Sequence, residues 1–384
     1  MKLPCLVKCT IGIGILFSGS TLFSQTPLNP PSGIPVPADV RLRLETETTE
    51  LRQSIEALRE DFRLEPSKLD LLNDVIVYFN AVHYALIHNQ FYSDKKKGEF
   101  EIAFQQLETG RQRAAALKNG NAPWTRQTGL VVRGYRSRID DSVQPYGLVI
   151  PENYDFESKG KQRLDIWYHG RGNTLSELKF IDQRETDVGK LVTDQAIVLH
   201  PYGRYCNANK FAGEVDTFEA IEHAKKHYSI DPDRIALRGF SMGGASTWHM
   251  AAHHAGLWSA AAPGAGFAES AIYANVMVKD PKPTWYELKL HNLYDATKYA
   301  ANLHQCPTVA YSGSIDKQKQ AADIMAEYLL KEDMELIHVI GKGMGHKYDD
   351  KSLEIINATV DKWADQPKDK FPSRIEFVTY TTLD

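Results

Sequence analysis

The residues best suited to chemistry surround Ser241, in the stretch Gly239-Phe-Ser-Met-Gly-Gly244. A short apolar run, Arg234 to Arg238, precedes this stretch, and a helix-compatible segment, Ala245 to Ala252, follows it at once. The spacing predicts a strand, a tight turn and a helix with serine at the turn, which is typical of a nucleophilic serine. The glycines would remove Cβ atoms where the chain passes close to itself, and the helix N-terminus would point N–H groups at the serine. An ordinary glycine-rich turn from strand to helix is the alternative interpretation.

A serine nucleophile needs a base, and the base needs a partner that fixes its tautomer. Asp316 lies on a loop after the predicted strand Thr308 to Ser312, and His346 ends a glycine-rich loop after Glu335 to Ile340. The carboxyl ends of parallel strands meet at one edge of a sheet, so both side chains are expected near Ser241. Serine, acid and histidine follow one another in the chain in an order that is known for a catalytic nucleophile, its supporting acid and its base.

Other residues compete for these roles. Asp316 could serve as a helix N-cap, alone or in addition to its role as the acid. Asp349 and Asp350 are rival acids, but they lie too close to His346 in sequence to come from a separate strand end. His169 is interpreted as a hydrogen-bonded turn residue rather than as the base.

A tetrahedral intermediate also needs two preorganised N–H donors. The Met242 N–H, directly after the serine, is the first candidate. The second is the Arg171 N–H, with Gly172 as the alternative, in the loop His169-Gly-Arg-Gly172 that follows a predicted strand.

A predicted insertion, residues 266–303, is rich in aromatic side chains and could form a lid over the site. Trp285 and Tyr286 are its candidate substrate-binding residues, although aromatics there could equally pack the insertion itself. Arg204 follows another predicted strand and is expected near the opening of the substrate pocket. It either shapes the pocket or forms a structural pair with a carboxylate.

The order of predicted elements indicates the fold class. Helical periodicity over about residues 38–118 predicts a small helical region, and from Gly129 onward strands alternate with helices. This alternation predicts an α/β fold, a mostly parallel sheet with helices on both faces. Residues 129–150 are expected to form an antiparallel hairpin with Pro145 on an edge strand, and Arg374 to Thr382 reads as β-like.

The first residues have the pattern of a targeting signal. Lys2 and Lys8 flank the apolar run Ile11 to Phe17, which is too short for a comfortable membrane span. We therefore predict a signal peptide over 1–24, a linker and helical region over 25–125, and a catalytic domain over 126–384. The expected location is secreted or periplasmic, without stable membrane insertion after the signal is cleaved.

Composition excludes some functions and leaves others open. The chain has 384 residues, 42% hydrophobic content and a formal net charge of −4. It therefore lacks the overall excess of basic residues that is typical of nucleic-acid-binding proteins. The spacing of cysteine and histidine residues predicts no zinc site, and no cofactor is expected. Cys206 and Cys306 follow the signal region, and whether they pair is left open.

Residues 129–365 resemble secreted esterases of the α/β-hydrolase superfamily, of the feruloyl- and acetylxylan-esterase-like group, and the catalytic domain of prolyl oligopeptidases (S9). The resemblance rests on His169-Gly-Arg-Gly172, Gly239-Phe-Ser-Met-Gly-Gly244, Asp316 and Gly345-His346. It implies an α/β-hydrolase fold and a serine hydrolase. The expected substrate is a carboxylic ester, of an acylated carbohydrate or a small acyl compound.

Two alternatives stay open beside the esterase. The first is a serine peptidase of the prolyl-oligopeptidase type. Those peptidases carry a β-propeller, for which this sequence has no room, and here Tyr168 precedes His-Gly rather than their Gly-Gly type of loop. The second is a catalytically inactive hydrolase fold used for binding, which would not need all three of Ser241, His346 and Asp316.

Overall fold

The computed structural model describes residues 30–95, 98–158, 160–278, 280–366, 368–369 and 371–380. The expected signal peptide and the first linker residues lie outside these ranges. Within them, no helix combines the length and the apolar character that crossing a membrane would require.

Three long helices precede the sheet, as the periodicity predicted. They are α1 (Ala38–Asp61), α2 (Pro66–Ile87) and α3 (Glu99–Lys118). Helix α1 buries one stripe, including Leu44, Leu51 and Ile55, as expected of an amphipathic surface helix. Helix α2 is buried more widely because it packs between α1, α3 and the first two strands.

The remaining chain forms one eight-stranded sheet, in the order β1-β2-β4-β3-β5-β6-β7-β8. The strands are β1 (Gly129–Arg136), β2 (Val143–Ile150), β3 (Gln162–Tyr168), β4 (Ala196–Pro201), β5 (Ile230–Phe240), β6 (Ala260–Gly264), β7 (Val309–Gly313) and β8 (Ile337–Gly341). Strand β2 pairs antiparallel with both β1 and β4, and the pairs from β4 to β8 are parallel. The predicted mostly parallel sheet is confirmed.

Helices cover both faces of this sheet. They are α4 (Glu177–Thr186), α5 (Ala212–His227), α6 (Met242–His253), α9 (Lys319–Leu330) and α10 (Asp350–Ala364). Two short helices, α7 (Ser270–Tyr273) and α8 (Trp285–Leu290), lie in the stretch between β6 and β7. Successive strand residues point to opposite faces. Accordingly, Ile235 and Leu237 of β5 join one buried cluster, whereas Ala236 joins another with Ile356 and Val360 of α10.

The helical region shares its core with the sheet. Leu51, Val77, Val131 and Ile166 belong to one continuous cluster of buried apolar side chains. The cluster includes residues from α1, α2, β1 and β3, so α1–α3 are not a separately packed unit.

Two local expectations were wrong. Residues 371–380 contain no strand, so Arg374 does not begin a β-element, and residues 381–384 lie outside the described ranges. Pro145 is not on an edge strand, because β2 lies between β1 and β4. Its missing N–H is tolerated because the pairing of β2 with β4 begins only at Tyr146.

Candidate active site

Ser241 occupies the tight turn between β5 and α6. Its backbone has φ 59° and ψ −121°, a left-handed conformation that is strained for a residue with a side chain. The Ser241 N–H donates to the Gly264 carbonyl oxygen at 2.8 Å, which fixes the turn against β6. A Cβ at Gly239 would lie 2.3 Å from the Gly243 oxygen, and one at Gly243 would lie 2.0 Å from the Tyr168 oxygen. The glycines are therefore required by close backbone contacts.

The structure brings the predicted serine, histidine and acid into one hydrogen-bonded line. His346 Nε2 lies 2.8 Å from Ser241 Oγ, and His346 Nδ1 lies 2.8 Å from Asp316 Oδ2. The Asp316 side chain is only 4% exposed, whereas that of His346 is 43% exposed. A buried carboxylate that holds a solvent-accessible imidazole against a serine hydroxyl is the geometry needed to activate the serine.

The competing acids have other partners. Asp349 is the N-cap of α10 and accepts from the Ser352 N–H at 3.0 Å. Asp316 is not itself an N-cap, since Gln318 holds that position before α9. The second carboxylate oxygen of Asp316 accepts from the Gln318 N–H at 2.9 Å, which fixes the carboxylate plane.

The loop that carries His346 is anchored to β7 by contacts that the sequence pattern did not reveal. Tyr311 donates its hydroxyl hydrogen to the Lys347 carbonyl oxygen at 2.7 Å, and the Ile315 N–H donates to the Met344 oxygen at 3.1 Å. Burial raises the pKa of Tyr311 to about 12, so the phenol stays protonated as a donor. The only sequence signal for Tyr311 was its position on the strand that leads to Asp316.

The two candidate oxyanion donors come from the start of α6 and from the loop after β3. Met242 is the first residue of α6, so its N–H has no acceptor within the helix. A Cβ built on Gly170 would lie 3.8 Å from Ser241 Cβ, which places the loop after β3 beside the nucleophile. The Gly172 N–H donates to Cys206 Sγ at 3.3 Å. This favours Arg171 over Gly172 as the second donor, and both oxyanion assignments stay predictions.

His169 holds the loop after β3 in place. Its Nδ1 lies 2.8 Å from the Gly170 oxygen and its Nε2 lies 3.0 Å from the Tyr202 oxygen. Burial lowers the pKa of His169, which favours the neutral ring, and a neutral ring donates from one nitrogen only. This is the turn role expected from the sequence.

The three candidate substrate-binding residues differ in their surroundings. Arg204 donates from Nε to Asp216 Oδ1 at 2.9 Å, and its terminal nitrogens contact Asp140 and Ser137. The structure thus gives Arg204 the carboxylate pairing that was the alternative interpretation. Trp285 and Tyr286 are 75% and 52% exposed on α8. Among the described residues, their aromatic ring contact is with each other, at 5.8 Å between centroids.

The two cysteines do not pair. Both are free thiols, Cys306 being buried and Cys206 half-buried beside the Gly172 loop.

Part of the chain matches a known protein family. Residues 207–367 match the prolyl oligopeptidase family model, and this stretch includes Ser241, Asp316 and His346. No curated protein matches the sequence.

Three solved structures illustrate the range of similar folds. The fluorophosphonate-binding serine hydrolase FphF of Staphylococcus aureus is 18% identical over 62% of this chain and 99% of its own, with a TM-score of 0.44. A ferulic acid esterase is 16% identical over 62% of this chain and 97% of its own, with a TM-score of 0.43. The acylaminoacyl peptidase of Pyrococcus horikoshii is 14% identical over 65% of this chain and 44% of its own, with a TM-score of 0.46.

The fold and the family match define the class of this protein. It is a serine hydrolase with an α/β-hydrolase fold, similar over residues 207–367 to the prolyl oligopeptidase family. Both esterases and peptidases belong to this class.

Proposed function

We propose that the chain is an exported esterase that cleaves carboxylic esters through an acyl-enzyme on Ser241. The observation that carries this proposal is the hydrogen-bonded line from Ser241 through His346 to Asp316, with both oxygen–nitrogen distances at 2.8 Å. The strained turn at Ser241 supports it, since such strain persists where the surrounding structure enforces it and is common at active sites.

The proposed reaction has two halves. His346 Nε2 takes the Ser241 proton as the oxygen attacks the substrate carbonyl, and Asp316 stabilises the imidazolium that forms. The N–H groups of Met242 and Arg171 bind the oxyanion. His346 then gives its proton to the departing alkoxide, which leaves an acyl group on Ser241. A water activated by His346 releases the acid and restores the serine.

Ester cleavage is favoured over peptide cleavage by features of the chain outside the hydrogen-bonded line. The exposed aromatics Trp285 and Tyr286 suit an acylated carbohydrate or another small acyl ester better than a polar peptide backbone. The N-terminal pattern around Lys2, Lys8 and residues 11–17 supports export.

The second candidate is a serine peptidase, and the match to the prolyl oligopeptidase family favours it. The chemistry distinguishes the two. An alkoxide leaves with little assistance, whereas an amine must be protonated by a correctly placed His346 as the intermediate collapses.

The test compares kcat/KM for an acyl ester and its isosteric amide, followed by acyl esters of graded length and proline-containing peptides. We expect the ester to be preferred by several orders of magnitude. Comparable values for ester and peptide, or efficient cleavage after proline, would establish the peptidase instead. A protein that hydrolyses neither substrate and resists fluorophosphonate labelling would be the inactive binding fold.

A further inference from the structure

A second cluster of chemically capable groups lies where the helical region meets the catalytic domain. Asp70 of α2 approaches His223 and His227 of α5, and one candidate ligand atom from each residue lies within 4.8 Å of the others. His227 Nε2 is 2.7 Å from Asp70 Oδ2, and His223 Nε2 is 3.5 Å from the same oxygen. The histidines are four residues apart on one helix, so their rings share a face, with centroids 4.5 Å apart.

His223 provides the independent indication of a ligand. Its side chain is more than nine-tenths buried, and its Nε2, which points towards Asp70, makes no hydrogen bond. The other ring nitrogen, Nδ1, contacts the Tyr146 hydroxyl at 2.7 Å. When that nitrogen donates its proton to the tyrosine oxygen, Nε2 carries the free lone pair. An outer partner that fixes the tautomer in this way is typical of histidines that bind metals.

We propose that Asp70, His223 and His227 bind one divalent transition-metal ion, most suitably Zn²⁺. Two imidazoles and one carboxylate form a ligand set that zinc accepts, at about 2.0–2.2 Å from each donor atom. Tetrahedral bonds of that length place ligand atoms roughly 3.3 Å apart. The 3.5 Å pair already meets this spacing, and the 2.7 Å pair has to open by roughly 0.6 Å.

Lys226 is the group that competes with the metal. Its Nζ lies 2.9 Å from Asp70 Oδ2, and its side chain is 58% exposed, so it can swing into solvent when a cation binds. Asp70, Lys226 and His227 line a surface cavity of about 400 Å³, together with Arg126 and Tyr154. The fourth position of the metal would open into this cavity.

The position of the cluster indicates a structural role rather than a catalytic one. His227 ends α5 just before β5 begins, whereas Ser241 follows the other end of β5. On the neighbouring strand β3, Gln162 pairs with Ile230 and Tyr168 pairs with Gly239, so the two ends of β5 lie roughly 20 Å apart. The metal would tie α2 to α5 and so hold the helical region against the sheet.

The test begins with protein stripped by a chelator and titrated with Zn²⁺ against a chromophoric competitor. We expect one ion per chain, a higher melting temperature with Zn²⁺, and the intense visible absorption of tetrahedral Co²⁺ when cobalt replaces zinc. Fluorophosphonate labelling of Ser241 should be unaffected by the metal.

Variants locate the ion. The glutamine in His227→Gln can keep a hydrogen bond to Asp70 but replaces a direct metal ligand. It should therefore weaken Zn²⁺ binding by more than the ~10–100-fold lost when a residue that only hydrogen-bonds to a ligand is removed. Lys226→Ala should tighten binding several-fold because it removes the competing cation. His88→Gln, at an exposed position after α2, is the matched control, and Glu214→Gln disrupts the separate cluster formed by Glu214, His249 and His254.

These measurements can overturn the proposal in two ways. Parent protein that binds no Zn²⁺ under these conditions would show that the cluster is an ion-pair network only. Binding that persists in His227→Gln, or that is lost in Glu214→Gln, would place the ion elsewhere. If His227→Gln fails to fold, Lys226→Ala decides the question, and an affinity equal to that of the parent contradicts the proposal.

Discussion

The contact that should matter most for stability joins α2 to β1 through a buried ion pair. Both side chains of Asp74 and Arg133 are 0% exposed, and Arg133 Nε lies 2.9 and 3.0 Å from the two carboxylate oxygens. Asp74 also accepts from the Gly134 N–H at 2.7 Å and from Trp124 Nε1 at 2.8 Å. The single carboxylate thus satisfies three buried donor groups.

Asp74→Asn should lower the free energy of unfolding by about 3–5 kcal/mol. Removing one partner of a buried pair leaves the other charge uncompensated, and that loss has this size in other proteins. Asparagine has nearly the same volume, so no cavity adds to the effect. It also turns an NH₂ group towards donors that need an acceptor, which places the expected value in the upper part of the range.

The assay is equilibrium unfolding in urea, followed by tryptophan fluorescence and by circular dichroism. Asp141→Asn is the matched control, because the Arg136–Asp141 pair on the neighbouring hairpin is exposed, at 40% and 82%, and should contribute about 0–1 kcal/mol. Because one core includes both α2 and the sheet, both probes should report one transition. A loss below about 1 kcal/mol for Asp74→Asn, or a separate early unfolding of the helices, would refute this reasoning.

Two further predictions concern pH and catalysis. Burial raises the pKa of Glu177 to about 7 from its ordinary value of 4.5, so between these values the folded chain keeps a proton that the unfolded chain releases. The free energy of unfolding should fall as pH rises through that window, by up to about 3 kcal/mol. Urea titrations at pH 5 and pH 8 measure this fall, and Glu177→Gln should abolish the part of it that comes from Glu177. The same pH dependence of the free energy of unfolding in variant and parent would contradict this assignment. Asp316→Asn should lower kcat by about 10⁴-fold while the fold is retained, because the amide no longer holds the required tautomer of His346. A nearly unchanged kcat would redirect the search for the acid.

The three candidate catalytic residues could be found in the sequence because their patterns are local. A predicted strand, a glycine-rich turn and a predicted helix follow one another around Ser241 and indicate a nucleophile at the turn. Asp316 and His346 each follow a predicted strand. Parallel strands present their carboxyl ends at one edge, so local patterns were enough to predict that the three groups would meet.

The sequence could not reveal contacts between distant elements. Asp70 and His227 are 157 positions apart, and no sequence pattern around either residue indicates that the two are in contact. Arg204 was ambiguous for the same reason, since its partners Asp140 and Asp216 come from different parts of the chain. The stretch 371–380 has β-like composition, yet no strand of the sheet pairs with it.

The most direct test of the central claim is intact-mass analysis of the protein after reaction with a fluorophosphonate, followed by peptide mapping. We expect one adduct per chain, located on Ser241, and no adduct or ester hydrolysis in Ser241→Ala with an unchanged circular dichroism spectrum. His346→Gln should slow the labelling strongly, because the serine loses its base. An adduct on another residue, or a Ser241→Ala protein that hydrolyses esters as fast as the parent, would contradict the account.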